Sequence, residues 1–86
     1  VPEISRFFGI IILMYYDEHA PPHFHARYGS DKAAIEITSL RVLEGRLPSR
    51  ALGLVIEWAS QHQEELMMNW EAARNDRPPK KIPPLQ

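Results

Sequence analysis

An α+β fold is what this 86-residue sequence predicts: a four-stranded, mainly antiparallel sheet backed by one long C-terminal helix, with an extended Pro-rich tail. Three observations carry that expectation. Short apolar or alternating runs crowd the first half of the chain, a proline-free stretch with apolar residues at helical spacing fills the second, and RPPKKIPPLQ ends it. The length suits one small domain over residues 1–77 with a tail over 78–86. A chain this short buries only about 60 to 65% of its unfolded surface. It has no cysteine, so neither a disulfide framework nor a thiolate metal site supplements the core.

The first predicted strand runs from Gly9 to Tyr16, a segment too short and too rich in isoleucine and tyrosine to favour a helix. Asp17 to Pro22 is a loop, because Pro21 and Pro22 donate no ladder hydrogen bond and restrain the residues before them. His23 to Tyr28 is the second strand, Gly29 to Lys32 a turn, and Ala33 to Thr38, reading AAIEIT, the third. A weaker fourth strand covers Val42 to Leu47. Pro48 suits a helix start, and the helix continues from Ser49 to Arg74, where Asn75, Asp76 and Pro78 end it.

Leu52, Val55, Ile56, Ala59, Leu66, Trp70 and Ala73 fall on one side of that helix and are expected to pack on the sheet. The first strand is apolar on both faces, with Ile10, Ile12 and Met14 on one and Ile11, Leu13 and Tyr15 on the other. One helix covers one face only. The second face therefore calls for Ile82 and Leu85 of the tail, or for another chain, so a homodimer or a heteromer with a small partner protein is expected. The apolar run from Phe7 to Tyr16 is about half a bilayer span, which predicts a cytoplasmic protein without a membrane partner. A formal net charge of -1 argues against broad nucleic-acid affinity and leaves room for a local basic patch.

Three of the four histidines fall within DEHAPPHFHARY, residues 17 to 28. Histidine titrates near neutrality and its ring nitrogens suit proton transfer, anion contact or metal ligation. A hairpin closed by residues 29 to 32 sets His25 opposite Glu36, His23 opposite Thr38 and Arg27 opposite Ala34. His23, His25, Arg27, Glu36 and Thr38 then share a polar face, while Phe24, Ala26, Tyr28, Ile35 and Ile37 share an apolar one. Asp17, Glu18 and His19 lean over the near end.

Three readings of this constellation stay open. In a metal site, His19, His23 and His25 supply nitrogen and Asp17 or Glu36 supplies oxygen. In metal-free phosphodiester cleavage, one histidine takes the ribose 2′-hydroxyl proton, another protonates the leaving oxygen, and Arg27 stabilises the phosphorane. In a structural role, His25 and Glu36 form a cross-strand pair and the face is solvated or packs on a partner.

PEISRFFGIIILMYYDEHAPPHFHARYG, AAIEI, VLEGRLP and ALGLVIEWASQHQEELMMNW together resemble a small bacterial and archaeal family, domain of unknown function 4160. Members of that family begin with methionine before PEI, and a GUG start read literally accounts for Val1. The resemblance implies a two-gene module of the toxin and antitoxin kind, because the family's genes often stand beside one for another small domain. The leading expectation is thus a small RNA-acting toxin without a cofactor, an endoribonuclease independent of metal. His23, His25 and Arg27 form its working face, Glu36 orients His25, and His19 completes the site. The alternative is a non-catalytic binding or regulatory protein whose polar face is a partner interface or a metal site of His19, His23, His25 and Asp17.

Overall fold

A computed structural model describes residues 2–16 and 18–86. Among them are five strands in the order β1 (Glu3–Phe7), β2 (Ile10–Leu13), β3 (His23–Tyr28), β4 (Asp31–Glu36) and β5 (Val42–Arg46), then helices α1 (Ser49–Ser60) and α2 (Gln63–Arg74). Neighbours in sequence are neighbours in the sheet, and every pairing is antiparallel. The α+β class and the antiparallel sheet match the sequence expectation. The strand count and the single helix need correction.

The additional strand, β1, is disguised by a bulge. Ile4 and Ser5 are adjacent yet both buried, because the register shifts between Glu3 and Ser5, so EISRF does not alternate. Phe8 and Gly9, at φ 50 and 81, form the two-residue turn into β2. Positive φ at both central positions is what a type I′ hairpin demands.

The β3–β4 hairpin also turns on a glycine. Gly29 takes φ 59 at the first position of a two-residue Gly29–Ser30 loop, so Tyr28 faces Asp31. His23 therefore lies opposite Glu36, His25 opposite Ala34 and Arg27 opposite Lys32. That is two residues away from the expected register. A shift of two preserves the alternation, so the division into polar and apolar faces stands.

The expected long helix is two helices with a break at Gln61 and His62. Neither proline nor glycine causes it. The N–H groups of Gln61 and His62 donate to the carbonyls of Trp58 and Ala59, three residues back, which tightens and ends α1. Gln63 then reaches across to the sheet, its side-chain amide donating to the carbonyls of Ile37 and Thr38 at 2.8 and 3.2 Å. The break redirects the apolar stripe. Trp58, at the edge of a continuous helical stripe, is fully buried between Phe7 and Phe24, at ring separations of 5.4 and 6.0 Å. At the far end of α2, Asp76 takes φ 57 while Arg77 and Asp76 N–H donate to the carbonyls of Ala72 and Ala73, a Schellman closure.

The core lies between the helices and one face of the sheet: Ile4, Phe7, Ile10, Ile12, Met14, Phe24, Ala26, Ile35 and Ile37 meet Val55, Trp58, Leu66 and Trp70. The tail joins this same side. Ile82 is buried there, its N–H donates to Ile4 carbonyl, Trp58 Nε1–H donates to Pro83 carbonyl, and the Asn69 amide both donates to and accepts from the Lys80 backbone. Ile82 and Leu85 thus pack with the helix-covered core and do not cover the second face. On that other face Leu13 is buried and Ile11 and Tyr15 are half-buried, without a helix over them.

Candidate functional site

β2, β3 and the loop ahead of β3 bring two histidines and a carboxylate together. His23 and His25 project from alternate positions of β3 onto the sheet face opposite Phe24 and Ala26, with ring centroids 5.2 Å apart. Both reach Glu18: His25 Nε2–H donates to its Oε1 at 2.7 Å, and His23 Nε2 lies 3.2 Å from the same oxygen. The other nitrogen of His23, Nδ1, is 2.7 Å from the Pro21 carbonyl. A carbonyl oxygen only accepts, so Nδ1 carries a proton there. The ring of His23 also leans on Trp70 of α2 at 5.1 Å, which fixes its orientation from the helix side. His25 meets Tyr15 edge to face at 4.4 Å. Enclosure differs within the group. His23 is 11% exposed, whereas His25 and Glu18 are 26% and 29% exposed and line an open groove with Tyr15, Lys32 and Glu44.

Glu18, expected to lean over the near end of the polar face without a role in the site, takes the place expected of Glu36. The carboxylate of Glu36 faces His23 across the ladder but accepts from the Ser39 hydroxyl, from Arg41 Nε at 3.2 Å and from the Thr38 hydroxyl at 3.3 Å. It does not orient His25. His19 is exposed and stands outside the group, and Asp17 lies outside the described residues. Among the described residues, Glu18, His23 and His25 place one donor atom each within 4.8 Å of one another, so of the histidines expected to ligate a metal His23 and His25 come together and His19 does not.

Arg27 lies two positions beyond His25 on the same face, and the register reveals its company. Arg6 pairs with Ile11, Ile11 with Arg27, Arg27 with Lys32, and Lys32 with Arg46. Four exposed cations therefore share one row across all five strands, about 19 Å from end to end at about 4.8 Å per strand. Arg6 pairs with Glu3 at 2.7 Å. Among the described residues Arg27, Lys32 and Arg46 have no carboxylate within ion-pair distance. Like charges directly opposite one another destabilise a sheet. The adjacent row holds Leu13, His25, Ala34 and Glu44, so the groove and the cations are contiguous. Gly45 shapes this edge: at φ 73, a Cβ on it would come within 2.2 Å of Lys32 carbonyl oxygen.

Partial burial pushes the Glu18 carboxyl up, and the hydrogen bonds from His25 and His23 outweigh it, holding the group below the ordinary glutamate value. The Ser39 hydroxyl and, behind it, Arg41 and Thr38 do the same for Glu36 against a smaller desolvation. A carboxyl whose folded-state pKa is depressed contributes stability above its unfolded value and loses it as pH falls through the folded one. Denaturant unfolding should therefore show stability declining below about pH 4.5, the ordinary glutamate value. In Glu18→Gln part of that decline should be absent. An unchanged acid slope in this variant would mean that the histidine contacts do not stabilise the ionised carboxyl.

The fold and site together define a small α+β protein that arranges on one sheet face a histidine–carboxylate group beside a row of cations. The chain belongs to the DUF4160 family, a domain of unknown function, whose model matches residues 9–71. No curated protein and no solved structure matches it.

Proposed function

We propose that this protein acts on RNA as half of a two-gene, toxin–antitoxin-like module in the cytoplasm. The observation that carries the reading is the cross-strand row in which Arg27, Lys32 and Arg46 stand directly opposite one another and Arg6 follows beyond Ile11. Its mutual repulsion is offset when a polyanion lies across it, and a phosphate backbone is linear and flexible enough to do so. The net charge of -1 confines such affinity to this face.

The chemistry follows from what adjoins the row. RNA supplies its own nucleophile: the 2′-oxygen attacks the adjacent phosphorus, the bond to the 5′-oxygen breaks, and a 2′,3′-cyclic phosphate and a 5′-hydroxyl result. The Glu18–His25 pair, open to the groove, takes the 2′-hydroxyl proton and returns one to the leaving oxygen. Arg27, in the neighbouring row, faces the phosphorane oxygens. His23, enclosed by Trp70 and tied to Pro21, holds Glu18 in place. Neither His19 nor Glu36 has a part in this scheme. The partner protein of the module covers the same face, where Ile11 and Tyr15 supply apolar area beside the cations.

Cleavage of a labelled single-stranded RNA, run together with growth on induction without the neighbouring gene, tests the reading. Wild type should cleave and inhibit growth. His25→Ala should lose about 100-fold or more in rate while remaining folded. A wild-type protein that neither binds nor cleaves RNA would leave the face as a protein interface.

A further inference from the structure

With Nδ1 directed at the Pro21 carbonyl, His23 turns its Nε2 toward a carboxylate oxygen of Glu18 3.2 Å away. A proton on Nε2 makes this contact a hydrogen bond to Glu18, and a metal cation held between the two atoms takes the place of that proton. His25 Nε2 points at the same oxygen from 2.7 Å. Three donor atoms, from two alternate strand positions and a loop, thus lie within 4.8 Å of one another.

We infer that Glu18 Oε1, His23 Nε2 and His25 Nε2 form a binding site for one divalent transition ion of the zinc class. Two imidazole nitrogens and one carboxylate oxygen match the donor preference of such ions. Bonds of about 2.0 to 2.1 Å in a tetrahedron place the donors about 3.3 Å apart. The His23 contact already has that separation, and a shift of the partly exposed Glu18 side chain by about half an ångström brings the His25 contact to it. The Pro21 carbonyl plays the part usual behind a metal-bound histidine, fixing which nitrogen is free and how the ring is turned. Trp70 packs against that ring, so the ligand is oriented before the ion arrives. Three protein ligands leave a fourth position, and the groove beside His25 and Glu18 gives it access to solvent or to a ligand. Arg27 and Lys32 on the same face favour an anionic occupant there.

The inference stands on ligand geometry and does not depend on the RNA reading. Where both hold, ion and proton compete for the same lone pairs, and bound zinc inhibits the acid–base chemistry.

Equilibrium dialysis of tag-free, chelator-stripped protein against zinc chloride, with elemental analysis of the bound metal, reads the site without any substrate. Wild type should take up one zinc ion per chain. Glu18→Gln and His25→Ala should each weaken uptake at least tenfold, and Glu36→Gln, a carboxylate change on the same face outside the group, should bind as wild type does. These two site variants leave the Trp70 packing of His23 intact, so loss of folding does not confound them; circular dichroism confirms it. Uptake well below one ion per chain by wild type, or wild-type affinity retained by either site variant, would overturn the inference.

Discussion

The double reversal Arg27→Glu with Arg46→Glu should weaken binding of single-stranded RNA at least 100-fold at low salt without destabilising the fold. The two residues flank Lys32 in the cationic row, so the variant replaces three like charges in register by an alternating set. Opposite charges facing across strands contribute about 0.2 to 1 kcal/mol per pair, which predicts a melting temperature equal to or above that of wild type. The slope of log K against log salt should fall by about 0.7 for each phosphate contact removed. The reversal also makes the chain more acidic by four charges, and a control with the same change separates the two effects. Arg74→Glu with Arg77→Glu, at the end of α2 and away from the sheet face, should cost far less affinity. Equal losses from the two variants would mean that net charge, and not the row, governs RNA contact.

The largest effect on stability should come from Trp58→Ala. Trp58 is fully buried, lies against Phe7 and Phe24, and anchors the tail through its Nε1–H to the Pro83 carbonyl at 2.8 Å. Truncating a buried tryptophan costs about 3 to 5 kcal/mol. A domain of this size holds about 4 to 13 kcal/mol in total, so the variant should be close to unfolding at 37 °C. Trp58→Phe keeps a ring and loses only the donor, and should cost about 1 to 2 kcal/mol. A loss below about 1 kcal/mol for the alanine variant in urea would mean that the tail and α1 do not share one core.

Much of this architecture was legible in the sequence because it depends on local chemistry. The alternation of HFHARY against AAIEI fixes which residues share a face, and that division survived a register shift of two. The shift arises because a turn centred on residues 29 to 32 pairs Gly29 with Lys32, whereas Gly29 takes the positive φ that starts a two-residue Gly29–Ser30 loop. The same shift moves Glu36 from opposite His25 to opposite His23, and Glu18 takes its place. A carboxylate on a loop has no register to read, and its approach to His23 and His25 depends on the path of the chain through Pro21 and Pro22.

Other features depend on contacts between distant segments. β1 fails the alternation test because its bulge buries two adjacent side chains. The break between α1 and α2 rests on Gln63 bonding to carbonyls at the end of β4, about 25 residues away, which no helical periodicity reports. The cationic row is the extreme case. Residues 6, 27, 32 and 46 show no spacing in the chain, and they align only once four ladders are in register.

Titration of the 15N-labelled protein with a short single-stranded RNA, followed by amide chemical shifts, tests most directly whether the sheet face that bears the cationic row is where this protein meets its substrate. The expected result is a set of shifts confined to Arg6, Ile11, His25, Arg27, Lys32, Glu44 and Arg46 and their neighbours, fading as salt is raised. Shifts concentrated instead on α2 and the tail around Met68, Arg77 and Lys80, or none at all with the folded protein, would contradict it.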